Sequence, residues 1–118
     1  MWEGNALKCR DRDGIQVTCD KGSWKKHIVP KHKEVEGQEA VVEAAINSPG
    51  WVYQDKDFAN RKLCYAKGVL PSPHSEQYLR VVIEYRTSRL TGKESGHVVS
   101  AFACTGIREG DKLLWSQF

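Results

Sequence analysis

Between residues 78 and 86 the chain alternates without a break. Leu79, Val81, Ile83 and Tyr85 fall to one side of an extended backbone, and Arg80, Val82, Glu84 and Arg86 to the other. Successive side chains of a strand point to opposite faces, so this stretch commits the chain to a sheet with one face to bury and one that carries charge. A second strand is read at 97–105, where Val98, Val99, Ala101, Phe102, Ala103 and Cys104 form an apolar run broken by Ser100. Such a run belongs to a central strand covered on both faces. Residues 61–67, with Leu63 and Tyr65 alternating against Lys62, Cys64 and Ala66, and the short Trp51-Val52-Tyr53 supply two more strands. Loop compositions at 71–75 and 91–96 separate these elements. Leu113-Leu114-Trp115 packs a last short element onto the sheet.

Residues 6–19 read as a β-hairpin. Leu7 and Cys9 alternate before Asp13-Gly14, and Ile15, Val17 and Cys19 alternate after it. A three-residue loop, Arg12-Asp13-Gly14, brings these positions to one face and opposes Leu7 to Cys19 and Cys9 to Val17. The two cysteines are then diagonal, which disfavours a disulfide within the hairpin.

Helical character is confined to residues 23–47. Ser23 is placed to cap a first helix by accepting an orphan backbone N–H. Trp24 and Ile28 lie four apart on its apolar stripe, with His27 at the edge of that stripe. Pro30 ends the segment near Val29 and turns His32 and Glu34 away from His27. A second helix at 38–47 carries Ala40, Val41, Ala44 and Ala45 at helical spacing and is stopped by Ser48-Pro49-Gly50. Helices and strands segregated along a chain give an α+β fold. The expected architecture is an N-terminal β-hairpin and two helices packed on a mainly antiparallel four-stranded sheet.

At 118 residues the chain is read as one domain, 1–118, long enough for a hydrophobic core without staples. No apolar run approaches the roughly 18 residues of a membrane span, and residues 1–4 open no signal peptide. A cytoplasmic protein with no membrane partner is expected. Cys9, Cys19, Cys64 and Cys104 show no C-x-x-C spacing and read as reduced, buried thiols, so neither metal nor cofactor is expected. The net charge of +3 is modest, but residues 21–33 hold five lysines and two histidines without an acid. Such an edge either faces phosphates or is a solvated lysine face.

The chain carries no metal motif, no glycine-rich phosphate loop and no G-x-S-x-G elbow. What remains is a set that metal-free RNA cleavage can use. That reaction needs a base for the ribose 2′-hydroxyl proton, an acid for the leaving 5′-oxygen, and donors on the phosphate oxygens. Histidine suits both proton steps near neutral pH. His27 is the first candidate for proton transfer, or else a helix histidine packed against Trp24. His32 is a second proton carrier, a phosphate contact or a surface residue of the lysine run. Arg80 can hold two phosphate oxygens at once. Ser100 either serves the site or bonds a backbone carbonyl. An even register sum between the 78–86 and 97–105 strands puts Arg80, Glu84 and Ser100 on one face; an odd one separates them.

The stretch W-x-x-H-I-x-x-x-H-x-E, Trp24 through Glu34, resembles the opening helix of the phage-associated branch of the barnase–EndoU–colicin–RelE-like nuclease superfamily. The similarity runs on through the second helix, Tyr53-Gln54-Asp55, the R-V-V-I-E-Y strand at 80–85 and the V-S-A-F strand at 99–102, covering roughly 15–115. It implies helices on a four-stranded antiparallel sheet with RNA cleaved in a cleft. It assigns the helix histidine to His27, the strand arginine to Arg80 and the late-strand hydroxyl to Ser100. Relatives commonly have H-P-E at His32-Lys33-Glu34 and threonine at Ser100, and neither change removes a functional group. Lys26, Lys31, His32 and Glu84 are the expected substrate contacts. RNA is the implied partner, and many relatives are toxins of phages and mobile elements neutralised by an antitoxin or immunity protein. Two other functions fit the same residues. One is a nucleic-acid-binding module on a nuclease scaffold without turnover. The other is a protein-interaction domain using exposed Trp2, Trp51 or Trp115.

Overall fold

A computed structural model describes residues 4–118. In chain order these form β1 (Asn5–Arg10), β2 (Gln16–Asp20) and α1 (Lys21–Ser23), which runs directly into a π-helical turn (Trp24–Ile28). A 3-10 turn (Lys33–Val35), α2 (Glu39–Asn47), β3 (Trp51–Gln54) and β4 (Arg61–Lys67) come next, then β5 (Tyr78–Thr87), β6 (Glu94–Cys104) and β7 (Lys112–Ser116). The strands make one sheet in the order β1-β2-β6-β5-β4-β3-β7. Neighbours are antiparallel except β2 and β6, which run parallel.

The fold is α+β, but the four-stranded, mainly antiparallel sheet expected from the sequence is corrected to a seven-stranded mixed one. The hairpin and the C-terminal element are both strands of the same sheet. β6 begins at Glu94, three residues ahead of the strand read at 97–105, and so reaches far enough to pair with β2 through Val17↔Gly96 and Thr18↔His97. A Cβ on Gly96 would stand 2.9 Å from Ile83 Cγ2 and 3.1 Å from Val17 Cγ2, so a bare glycine is what permits this approach. β7 takes the outer edge of β3. The helical part is smaller than expected: α1 is a single turn, and α2 has 9 residues.

The hairpin has the register read from its alternation, Leu7 opposite Cys19 and Cys9 opposite Val17, and all four cysteines are free. Asp11 N–H donates to the Ile15 carbonyl at 2.9 Å, and Gly14 supplies the positive φ of +83° that a three-residue loop demands. The buried Asp11 carboxylate accepts from the Asp13 and Ile15 amides and, at 2.8 Å, from the Tyr85 hydroxyl. The loop is thereby fixed to β5.

Asp20, not Ser23, caps α1, because the helix starts immediately after β2. Ser23 N–H donates to Asp20 Oδ1 at 2.8 Å. Trp24, Ile28, Val42 and Ile46 pack on Val17, Leu79, Val81 and Ile83 across one face of the sheet, forming the core. On the other face Leu63 and Tyr65 are buried. There Arg108 ties its own loop to Asp55 at 3.1 Å and to Asp111 at 2.7 Å. Toward β2 that face is uncovered: Val99 is exposed, so the apolar run of β6 is not buried on both sides as its composition suggested. Among the described residues no helix is long and apolar enough to cross a membrane.

Candidate functional site

Four strands carry one polar row across the uncovered face: Thr18 on β2, His97 on β6, Glu84 on β5 and Arg61 on β4. The row depends on a bulge. Arg80↔Phe102 and Val82↔Ser100 set one register between β5 and β6, Ile83↔Val98 and Glu84↔His97 set the next, and Val99 is left unopposed between them. Strict alternation back from Ser100 would turn His97 into the core. The extra residue turns it outward instead.

His27 reaches the same region from the helical side. Val29 N–H donates to the Trp24 carbonyl at 2.9 Å, a five-residue step that widens the turn. Trp24 and Ile28 stay buried while His27, carried round from Trp24, is exposed. His27, His97, Glu84, Arg86, Thr18 and Asp20 line a groove of about 280 Å³.

Within it Glu84 is a charge anchor. Arg86 meets its Oε2 at 2.7 Å and Arg61 its Oε1 at 3.4 Å. The Arg86 hydrogen bond, helped by Arg61, holds the Glu84 carboxyl below the usual carboxylate range. It is therefore ionised at neutral pH and serves to orient guanidinium groups rather than to donate a proton.

Arg80 lies on the same face, four residues from Glu84 and so about 13 Å along β5. Its Nε donates to the Tyr65 hydroxyl at 2.8 Å and a terminal nitrogen to the Gly106 carbonyl at 3.3 Å. The guanidinium sits 5.1 Å from the Phe102 ring centre and 5.3 Å from that of Tyr65. His32 stacks on Phe102 at 4.9 Å. These four side chains make a continuous stack of planar groups. The two bonds leave three of the five guanidinium N–H donors of Arg80.

The even register sum holds from Arg80 to Val82, so Arg80, Glu84 and Ser100 share a face. Ser100, opposite Val82, occupies the row between those of Arg80 and Glu84. The expected catalytic trio is thus divided: His27 lines the groove, Ser100 lies beside it and Arg80 belongs to the neighbouring stack. Of the expected substrate contacts, Glu84 lines the groove and His32 joins the stack. Lys26 and Lys31 are exposed and do not line the groove.

His97, Arg86, Thr18 and Asp20 are groove residues that sequence reasoning missed. The available signal was a misfit: His97 and Ser100, three apart in an apolar run, cannot share a face under strict alternation. Among the described residues the tryptophans give no exposed docking set. Trp51 packs against Tyr78 and Phe118, Trp115 lies under the Arg12 guanidinium at 4.0 Å, and Trp2 is outside the described residues. Among the described residues no group of three or more His, Cys, Asp or Glu is placed to hold a metal ion. Compared with known proteins, the chain matches no family model, no curated protein and no solved structure.

Proposed function

We propose that the chain is a small metal-independent ribonuclease that cleaves RNA by attack of the ribose 2′-hydroxyl on the adjacent phosphodiester. The observation that carries this reading is the exposed imidazole of His27 in a groove on the sheet face that also bears Arg80 and Ser100. His27 transfers a proton, while Ser100 and Arg80 hold the RNA strand along β5 and β6. Lys26 and Lys31, exposed on the same helical approach, draw the polyanion by releasing its counterions. The reading includes membership of the phage-associated nuclease branch that 15–115 resembles, a cytoplasmic site of action, and a toxin role balanced by an antitoxin or immunity protein. Incubation with total RNA in EDTA tests it. Fragments with cyclic-phosphate ends are expected, and they should disappear in His27→Ala without a change in melting temperature. Absence of fragments from the unmodified protein refutes the reading.

One observation favours a second reading. Arg80 is already committed to Tyr65 and Gly106, as in a module that binds RNA along its stack and does not turn it over. That module would retain RNA in a salt-dependent way and release no product.

A further inference from the structure

We infer that His97 is the second catalytic imidazole, paired with His27 across the groove. The inference rests on the ribonuclease reading and adds a residue that the family resemblance does not supply. Transesterification needs two proton carriers, one for the attacking and one for the leaving oxygen. His32, the alternative second carrier, is stacked on Phe102 outside the groove. Glu84, held ionised by Arg86 and Arg61, has no proton to give the leaving oxygen. His97 faces the groove, is exposed, and stands directly opposite Glu84.

Two unrelated backbone irregularities deliver these histidines. The π-turn carries His27 outward, and the Val99 bulge turns His97 out of the core. Irregularities of both kinds concentrate where a fold must aim a functional side chain. Here they converge from different elements on one cavity, the helical segment forming one wall and β6 the other.

In the resulting step one imidazole removes the 2′-hydroxyl proton as O2′ forms a bond to phosphorus. The P–O5′ bond breaks, and the other imidazole, as imidazolium, delivers its proton to O5′. The products are a 2′,3′-cyclic phosphate and a 5′-hydroxyl. No metal or co-reactant enters the balance.

The test compares the unmodified chain, His27→Ala, His97→Ala, His97→Gln and the double alanine variant on a labelled oligoribonucleotide in EDTA. RNA affinity and thermal melting are followed in parallel. Each single variant should lose about 100-fold or more in cleavage, with RNA affinity and melting little changed. The double variant should lose little beyond either single one, because the two groups act in one step. The unmodified protein should show a bell-shaped pH–rate profile, with one limb abolished in each single variant. Added imidazole should restore part of the rate of His97→Ala. If both His97 variants retain the two-limbed profile and a rate within about threefold of the unmodified chain while His27→Ala is inactive, His97 is not catalytic and the ribonuclease reading stands. If the unmodified chain cleaves nothing, that reading fails and the role of His97 fails with it.

Discussion

Glu84 faces His97 across β5 and β6, and they share a face because Val99 has no partner on β5. A single unpaired residue therefore decides whether the imidazole meets solvent or the core. Deleting Val99 should close the bulge by joining Val98 directly to Ser100, so that regular pairing keeps Val98 inward opposite Ile83 and His97 outward opposite Glu84. Cleavage should therefore persist in this deletion variant and remain far above that of His97→Ala. Matched rate assays and urea titrations check this, and a folded deletion variant whose cleavage falls to the level of His97→Ala contradicts the register given to the bulge.

Gly96 should tolerate no side chain. An added Cβ would meet Ile83 Cγ2 at 2.9 Å, Val17 Cγ2 at 3.1 Å and Tyr85 Cε1 at 3.2 Å. These are stiff core groups, so β2 and β6 would have to separate. Gly96→Ala is expected to cost about 1–3 kcal/mol in urea denaturation. An unchanged midpoint and slope would show that β2 can move away freely.

Tyr65→Phe removes the hydroxyl that accepts from Arg80 at 2.8 Å and from the Arg108 amide at 3.4 Å. A lost bond to a part-buried guanidinium should cost about 1.5–3 kcal/mol of stability. RNA affinity should rise or fall with the freed Arg80, whereas a purely structural tyrosine would leave it constant after correction for folding.

Acid should destabilise the fold in a narrow range. The Ser23 amide holds the Asp20 carboxyl low, and the Arg86 hydrogen bond does the same for Glu84. Burial opposes ionisation of Asp55 and Asp111, but backbone amides and Arg108 outweigh it and lower both. Carboxyls with a folded pKa below the unfolded value contribute stability that is complete above the unfolded value and is lost as pH falls through the folded one. Unfolding free energy should be level from pH 7 to about 5.5 and drop steeply below about 4.5. A flat profile down to pH 3 would contradict the ion-pair assignments.

Thiol chemistry gives a separate check. Burial pushes the Cys19 and Cys64 thiols up to about 12 and the Cys9 thiol up to about 11, so all three stay protonated at neutral pH. Alkylation of Cys19 and Cys64 should be slow in the native protein and complete in guanidinium. Rapid native labelling of Cys64 would mean that β4 is not packed as described.

The local elements were legible in the sequence wherever one face is buried. Period-two patterning placed β4 and β5, and the odd-numbered apolar set fixed the hairpin register through Leu7 and Cys9. Their assembly was not legible. The parallel pairing of β2 with β6 depends on Gly96 lacking a side chain, and the capture of β7 by β3 depends on an edge that no sequence pattern marks. At the site, His27 was visible beside the Trp24–Ile28 stripe. His97 was hidden because its outward direction depends on where β6 slips against β5. The sequence leaves open, between an even and an odd register sum, whether Arg80 and Ser100 share a face, and the even sum between Arg80 and Val82 decides it. The bonds from Arg80 to Tyr65 and Gly106 arise from strand and loop placement that spacing cannot express.

Phosphorus NMR of an oligoribonucleotide incubated with the protein in EDTA tests the central claim most directly. The account predicts a 2′,3′-cyclic phosphate resonance that grows with the unmodified chain and fails to develop with His27→Ala. No cyclic phosphate from the unmodified chain, or equal growth with the variant, would contradict it.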